Sequence, residues 1–362
     1  MSGNVRLSAA KVKPNDEFYT QYNDIEAEMN AYVEYNPNVF RDKTILLPCD
    51  DPEWSNFTKY FVANFKRFGL KKLISTSYAK GIGNKQITLF EQESVLFDKD
   101  KHEVNGKLFT LTNAAEEINF SGYLEGDGDF RSEEVKALRD EADIIITNPP
   151  FSLFREFLPW IMDAGKNFII MGNKNAITYK EVFPLLKDNK MWIGSTSLNG
   201  GRWMIMPSNI EIKSDKAKIN ERGETVINVP GVCWFANIDH GKRHQPLLLD
   251  TMAHNLKYNK KLQKKFKQDY EKIEYKFYDE YDAIDIPFVE CIPSDFNEIM
   301  GVPITFLDKY CPEQFKIIGL DRYVKDNPHY GHRFTINGKE TYARILIKKK
   351  EGIYSNENRI TY

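Results

Sequence analysis

The sequence predicts an α/β fold in which a Rossmann-like, doubly wound sheet precedes a C-terminal region of different character. Short segments of strand length alternate with segments of helical periodicity; apolar residues dominate the strand-like segments at 44–47, 144–146 and 167–171, and residues 73–76 form a further predicted strand. Strands that alternate with helices at this rate favour a mostly parallel sheet. The alternation ends near residue 240, beyond which lysines crowd one segment of the chain.

The composition is that of an ordinary globular protein. The chain has 362 residues, of which 41% are hydrophobic and 28% charged, and this length allows two domains. No apolar run approaches the roughly 20 residues of a membrane span, and no signal peptide opens the chain. We therefore expect a cytoplasmic protein with no membrane partner. The four cysteines and six histidines show no metal-ligand spacing, so no metal site is expected.

Charge is distributed unevenly along the chain. Residues 241–362 carry 21 Lys+Arg against 18 Asp+Glu, whereas residues 1–240 carry 29 against 34. This asymmetry is compatible with a basic, DNA-facing surface attached to a catalytic domain. The candidates for phosphate contact are four lysines of one segment, namely Lys260, Lys261, Lys264 and Lys265. The alternative for these lysines is a solvated helix face.

The strongest chemical motif follows the strand at 144–146. The chain reads Asn148-Pro149-Pro150-Phe151 there, and the prolines end the strand at its carboxyl end, where open α/β sheets bind ligands. The Asn148 side-chain oxygen and the Pro149 carbonyl can both accept hydrogen bonds from one amino group, and Phe151 can stack on a planar ring. This set suits an adenine flipped out of a duplex. The alternative is a simple turn.

Carboxylates follow two other segments. Asp50 and Asp51 end the strand at 44–47, and Asp50 is the candidate for holding a ribose or an amino group. Asp51, with Pro52 after it, is predicted to cap the next helix. Asp127 and Asp129 lie in a glycine-containing loop that is predicted either to place a carboxylate against an adenosine amino group or to be a plain surface loop.

Two further segments complete the analysis. Phe18-Tyr19-Thr20 precedes a predicted helix, and by itself it indicates a packed N-terminal arm. Residues 86–90 and 107–111 alternate in polarity and predict a hairpin or meander inserted in the sheet.

Several of these segments resemble known methyltransferases. The Asn148-Pro149-Pro150-Phe151 motif resembles the catalytic signature of amino-group methyltransferases dependent on S-adenosylmethionine, and Phe18-Tyr19-Thr20 resembles a cofactor-contacting segment of DNA adenine methyltransferases. Residues 47–57, 126–132, 301–307 and 312–315 resemble the EcoRI modification methyltransferase family, and the resemblance spans nearly the whole chain. One departure is that no glycine-rich loop follows the first strand.

The resemblance implies a site-specific DNA (adenine-N6) methyltransferase of a restriction-modification system or an orphan modification enzyme. It implies S-adenosylmethionine as cofactor, held near Phe18, Tyr19, Thr20, Asp50, Asp127 and Asp129, and duplex DNA as partner. A cognate restriction endonuclease is a possible functional partner, and we expect a monomer. We assign residues 1–243 to catalysis and 244–362 to target recognition. The alternatives are an RNA-base or protein-glutamine methyltransferase and a non-catalytic DNA-binding protein.

Overall fold

The computed structural model describes residues 18–51, 55–79, 94–113, 119–206, 217–270, 272–324 and 330–350. The predicted strand at 86–90 and the predicted role of Pro52 lie outside these residues. Helices and a large mixed sheet confirm the α/β class.

The described helices have the following bounds: α1 Tyr22–Tyr35, α2 Asn56–Phe68, α3 Lys99–Val104, α4 Glu133–Glu141, α5 Phe154–Met162, α6 Phe183–Lys187, α7 Met252–Tyr258 and α8 Lys260–Asp269. The described strands are β1 Tyr19–Thr20, β2 Thr44–Leu47, β3 Lys72–Thr76, β4 Lys107–Thr112, β5 Asn119–Tyr123, β6 Ile144–Thr147, β7 Asn167–Asn173, β8 Trp192–Ile193, β9 Arg202–Ile205, β10 Ala217–Ile219, β11 Thr225–Val229, β12 Val232–Ala236, β13 Ile284–Asp285, β14 Met300–Pro303, β15 Phe315–Leu320, β16 Thr335–Ile336, β17 Lys339–Glu340 and β18 Arg344–Lys349.

The chain forms two compact units. The first comprises Met1–Lys174 and Gly194–His240, and the second comprises Asn175–Ile193 and Gly241–Tyr362.

Seven strands of the first unit form one mixed sheet in the order β5-β4-β3-β2-β6-β7-β12. Strands β3, β2, β6 and β7 are parallel, and the other three are antiparallel to their neighbours. Along the chain β2 comes first, β3 is added on one side and β6 on the other. The direction of winding therefore reverses between β2 and β6, and such a reversal opens a crevice at the carboxyl ends of the two strands.

The two strands beside this crevice are buried along their whole length, and each is apolar apart from one threonine, Thr44 in β2 and Thr147 in β6. Every residue of β2 and β6 is buried, which explains why their sequences are continuous apolar runs and do not alternate. The ladder between them is short and pairs Ile45 with Ile144 and Leu46 with Ile145. On its other side β6 remains paired to its end, where Thr147 lies opposite Ile170.

Helix α2 begins later than the sequence predicted. Its N-cap is Ser55, whose side chain accepts a hydrogen bond from the Phe57 amide, so the prediction of Asp51 as the cap is wrong. Serine fits this position because its short hydroxyl reaches the second amide of the helix, whereas Asp51 lies within 3.7 Å of the buried Lys107 ammonium. The helix ends as predicted at Gly69, which adopts the left-handed conformation with φ of 64°.

The first unit also contains a small antiparallel sheet in the order β1-β9-β11-β10. Strand β1 is the Tyr19–Thr20 segment, and it pairs with β9 through Tyr19 opposite Ile205 and Thr20 opposite Met204. This pairing fixes the position of the segment that precedes α1.

The second unit is built on a sheet with the order β13-β14-β18-β15. A polar network is buried beside it: Asp285 Oδ1 accepts hydrogen bonds from Arg344 Nε at 2.7 Å and from the Tyr278 hydroxyl at 2.8 Å. Since both charges are paired inside the fold, this network serves the structure of the unit.

Candidate active site

Asn148 lies directly after β6, at the reversal of the sheet. Its side-chain Nδ2 donates a hydrogen bond to the Phe18 carbonyl at 2.8 Å. A carbonyl accepts only from the amide nitrogen, so this contact sets the orientation of the side chain and leaves Oδ1 facing away from Phe18. Oδ1 is buried, and no described residue donates a hydrogen bond to it.

An unsatisfied buried acceptor costs about 1–3 kcal/mol. The fold keeps this one at the carboxyl edge of a sheet, in the place where α/β proteins bind ligands. The Pro149 carbonyl also accepts no hydrogen bond from a described residue. Asn148 Oδ1 and the carbonyl of the next residue, Pro149, are thus two acceptors without a donor among the described residues, and their predicted binding of one amino group stays a prediction.

The remaining residues of the motif shape the turn. Pro149 is buried, whereas Pro150 and Phe151 are half-buried. A short 3-10 helix runs over Phe151–Leu153, and the Leu153 amide donates to the Pro150 carbonyl at 2.9 Å. Phe151 is thus partly open beside the two acceptors, a placement that permits stacking on a planar ligand.

The Phe18-Tyr19-Thr20 segment is held by the protein at both ends. Asn56 Nδ2 donates to the Thr20 carbonyl at 2.8 Å, and the Thr20 hydroxyl contacts Met171 Sδ at 3.1 Å. The structure thus brings the segment to the Asn148 motif. Its predicted contact with a cofactor stays a prediction.

Asp50 lies at the carboxyl end of β2, opposite the motif. Its side chain is only 6% exposed. Oδ1 accepts from the Ser55 hydroxyl at 2.6 Å, and Oδ2 accepts from the Thr147 hydroxyl at 2.7 Å. Burial raises the pKa of Asp50 to about 6, although the hydrogen bonds from Ser55 and Thr147 lower it; nearby Asp51 adds to the rise.

Asp127 and Asp129 lie one strand farther along the sheet, at the end of β3. The Asp127 carbonyl accepts from the Ala79 amide at 2.7 Å. Between the two aspartates, Gly128 has φ of 84°, and a Cβ built on it would lie 2.3 Å from the Ser77 carbonyl oxygen, so only glycine permits this approach.

The Asp129 carboxylate is already paired. Arg131 Nη2 lies 2.6 Å from Asp129 Oδ2, and the same guanidinium reaches Glu156 at 2.9 Å. The loop thus reaches the predicted edge of the sheet, with Asp129 engaged in a surface ion-pair network.

The four lysines proposed for DNA contact lie on α8 in the second unit, and they differ in their partners. Lys261 pairs with Glu290 at 2.9 Å, and Lys265 pairs with Asp269 at 2.5 Å. Lys260 and Lys264 are exposed and form no ion pair within the described chain. Two of the four ammonium groups are thus available to an added anion without breaking an existing pair.

Sequence reasoning missed three residues of the site, namely Ser55, Asn56 and Thr147. A signal for Thr147 was available, because it places a hydroxyl in an otherwise apolar strand and that hydroxyl needs a partner once buried. Ser55 and Asn56 carried no such signal, since polar residues are ordinary at a helix start.

The described part of the chain offers neither a metal site nor a membrane-spanning helix. Among the described residues, no group of three His, Cys, Asp or Glu side chains is arranged to hold a metal ion. None of the described helices combines the length and apolar character that crossing a membrane requires.

Comparison with known proteins identifies the family. The model of the family described as "Adenine-specific methyltransferase EcoRI" matches residues 6–350. The Type II methyltransferase M.EcoRI of Escherichia coli is 41% identical over 350 residues, which cover 96% of this chain and 97% of that protein. The Type II methyltransferase M.MpnI of Mycoplasma pneumoniae is 31% identical, and M.MgeORF184P of Mycoplasma genitalium is 32% identical. These two alignments cover 96% and 95% of this chain and 99% of each relative.

No solved structure gave a significant match. The family match nevertheless extends over almost the whole sequence and includes the Asn148 motif, the Asp50 segment and the strands of both units. This chain therefore belongs to the EcoRI family of adenine-specific methyltransferases.

Proposed function

We propose that this enzyme transfers a methyl group from S-adenosylmethionine to N6 of an adenine flipped out of a short duplex DNA sequence. The observation that carries the proposal is the buried Asn148 Oδ1, to which no described residue donates a hydrogen bond, next to the Pro149 carbonyl, which also accepts none from the described part of the chain. Two acceptors at one point match the two hydrogens of an exocyclic amino group. The names of the relatives, all Type II methyltransferases, support DNA modification as the setting.

The residues of this chain bind and orient the adenine. Asn148 Oδ1 and the Pro149 carbonyl each accept one N6 hydrogen, which favours a pyramidal amino group and stabilises the positive charge that develops on N6 as it is methylated. The Phe18 carbonyl holds the Asn148 amide in the required orientation before the base arrives. Phe151 stacks on the flipped ring.

The cofactor side of the site is proposed at the carboxyl ends of β2 and β3, within a Rossmann-like, doubly wound methyltransferase sheet. We assign Phe18, Tyr19, Thr20, Asp50, Asp127 and Asp129 to this side of the site. The chemistry of the edge fits the group, because carboxylates and backbone carbonyls accept hydrogen bonds from ribose hydroxyls and from an ammonium. A carboxylate has about four acceptor positions, and the two hydroxyls bonded to Asp50 occupy two of them. When bound, S-adenosylmethionine supplies an activated methyl group.

We also propose a division of labour along the chain, with catalysis in residues 1–243 and target recognition in residues 244–362. The exposed, unpaired Lys260 and Lys264 support the second assignment, since phosphate contacts position a duplex for base reading. We further propose a cytoplasmic enzyme that acts as a monomer on cellular DNA, with a cognate restriction endonuclease as functional partner.

The proposal is tested by comparing wild type with Asn148→Ala. Purified wild type should methylate adenine N6 in duplex DNA, detected by single-molecule sequencing of DNA from a methylation-free host. The variant should lose about 10²–10³-fold in methyl-transfer rate, the usual effect of removing one preorganised polar group. Its calorimetric affinity for S-adenosylmethionine and its melting temperature should match wild type.

Asn199→Ala is the matched control, because the Asn199 side chain is exposed and only its backbone amide donates to Ser197. Wild-type turnover in Asn148→Ala would refute the assignment of Asn148. Methylation of an unpaired RNA or a protein amide in preference to duplex DNA would refute the substrate.

A further inference from the structure

The carboxylate of Asp50 bridges the opening between β2 and β6. The backbone ladder between these strands ends at the pair Leu46 and Ile145, two residues before Thr147. The ladder does not continue beyond that pair, and the hydrogen bond from Thr147 to Asp50 Oδ2, 2.7 Å long, joins the two sides. A side-chain hydrogen bond therefore connects β6 to the chain after β2 beyond the last backbone pair of the ladder.

Asp50 is itself firmly held. The Asp50 amide donates a hydrogen bond to the Thr76 carbonyl at 2.9 Å, and the Asp50 carbonyl accepts one from the Ser75 hydroxyl. The Ser55 hydroxyl fixes the second carboxylate oxygen and joins it to the start of α2. Asp50 is therefore a rigid anchor: its backbone is hydrogen-bonded to β3, and its carboxylate is hydrogen-bonded to β6 and to the start of α2.

Thr147 links Asp50 to the Asn148 motif, because it is hydrogen-bonded to Asp50 and directly precedes Asn148. Its side chain is fully buried, and a β-branched side chain in a strand has few rotamers, so its hydroxyl cannot move without moving the backbone. The next residue is Asn148. Any shift of the Thr147 backbone changes the direction in which the Asn148 amide and the Pro149 carbonyl point.

We propose that Asp50 and Thr147 are positioning residues for methyl transfer: the Asp50 carboxylate holds Thr147 across the opening between β2 and β6 and so fixes the two acceptors of the motif. The inference rests on the proposed role of Asn148. The positioning role is compatible with the proposed contact between Asp50 and the cofactor, because two acceptor positions of the carboxylate are not used by Ser55 and Thr147. Neither residue touches the reacting atoms.

The test uses two substitutions at Thr147 in the full-length enzyme. Thr147→Val keeps the shape and removes the hydroxyl, whereas Thr147→Ser keeps the hydroxyl and removes the methyl group. With duplex DNA and S-adenosylmethionine both saturating, the single-turnover rate should fall at least about tenfold in the valine variant and stay within about threefold of wild type in the serine variant. The calorimetric affinity for S-adenosylmethionine should be unchanged in both.

A double-mutant cycle separates positioning from simple damage to the fold. If Thr147 acts through Asn148, Thr147→Val should cost little further rate in an Asn148→Ala background. An equal fold-loss in both backgrounds would overturn the inference, as would a wild-type rate in Thr147→Val alone. If the valine variant does not fold, Thr147→Ala against Thr147→Ser gives the same comparison.

Failure of this inference is distinguishable from failure of the proposed function. An active wild type with an equally active Thr147→Val removes the positioning role and leaves the methyltransferase assignment intact. A wild type that does not methylate adenine N6 in duplex DNA removes the proposed function itself.

Discussion

Two buried aspartates, one in each unit, show how different partners make a carboxylate serve different ends. Asp50 and Asp285 are both 6% exposed. Asp285 is neutralised by Arg344 and bonded by Tyr278, whereas Asp50 accepts from two neutral hydroxyls. The Asp285 carboxylate thus finds its charge partner and its hydrogen-bond donors within the second unit. The Asp50 arrangement includes Thr147, which directly precedes Asn148, and no described residue donates a hydrogen bond to Asn148 Oδ1.

The comparison teaches that the quality of pairing separates structural from functional buried polar groups. Removing one partner of a buried ion pair is costly, and an intact pair offers no free group to a ligand. The Asp50 carboxylate, which is held by two hydroxyls, orders the residues next to an acceptor that a ligand can satisfy.

The largest expected effect comes from breaking the pair in the second unit. Arg344→Met should leave the Asp285 charge without its cation and lower the free energy of unfolding by about 3–5 kcal/mol. Urea denaturation measures this change. Lys348→Met, on the same strand, is the control: Lys348 pairs with Glu298 at the surface at 3.4 Å and should cost less than about 1 kcal/mol. Similar losses in the two variants would contradict the structural role of the network.

The second prediction concerns pH. The pKa of Asp50 is raised from 3.8 to about 6, so the folded protein binds more protons than the unfolded chain between these values. Stability from this group should therefore fall as pH rises from about 4 to about 6. The difference in unfolding free energy between wild type and Asp50→Asn should change by about 2 kcal/mol over that window. Parallel pH profiles would show that Asp50 titrates normally. Asp321, whose pKa burial also raises to about 6, contributes a similar slope that is common to both proteins.

The third prediction isolates stacking at the edge of the first unit. Phe151→Ala should weaken the hold on the flipped adenine by about 1–3 kcal/mol, the range of other base–aromatic contacts. A fluorescent adenine analogue at the target position reports flipping directly. Phe277→Ala in the second unit is the control, because Phe277 is 55% exposed and lies outside the proposed site. An unchanged flipping equilibrium in Phe151→Ala would remove Phe151 from the pocket.

The smallest expected effect separates paired from unpaired lysines on α8. Replacing Lys260 and Lys264 by Gln should weaken binding to cognate and random DNA alike and reduce the salt dependence by about two counterions. Replacing Lys261 and Lys265 by Gln should do less, because Glu290 and Asp269 already engage them. Fluorescence anisotropy over a salt series measures both. Equal slopes in wild type and Lys260/Lys264 variants would place the phosphate contacts elsewhere.

Local sequence patterns were sufficient to predict the strands around the site and the class of reaction. The apolar runs of β2, β3, β6 and β7 were predicted because each is short, buried and bounded by turn residues, and all four are strands in the fold. The two acceptors of the motif were predicted because proline breaks the strand at a known point. The family resemblance, confirmed by the comparisons, named the reaction.

Only the tertiary structure decided the partners. Asn148 is oriented by Phe18, 130 residues earlier, and Thr147 is held by Asp50, 97 residues earlier. The cap of α2 proved to be Ser55 because Asp51 faces a lysine from a distant strand. Local sequence cannot specify such contacts, since they depend on the order and register of strands. That order is set when many apolar side chains are buried together, and the polar groups then find whichever partner the packing brings within reach.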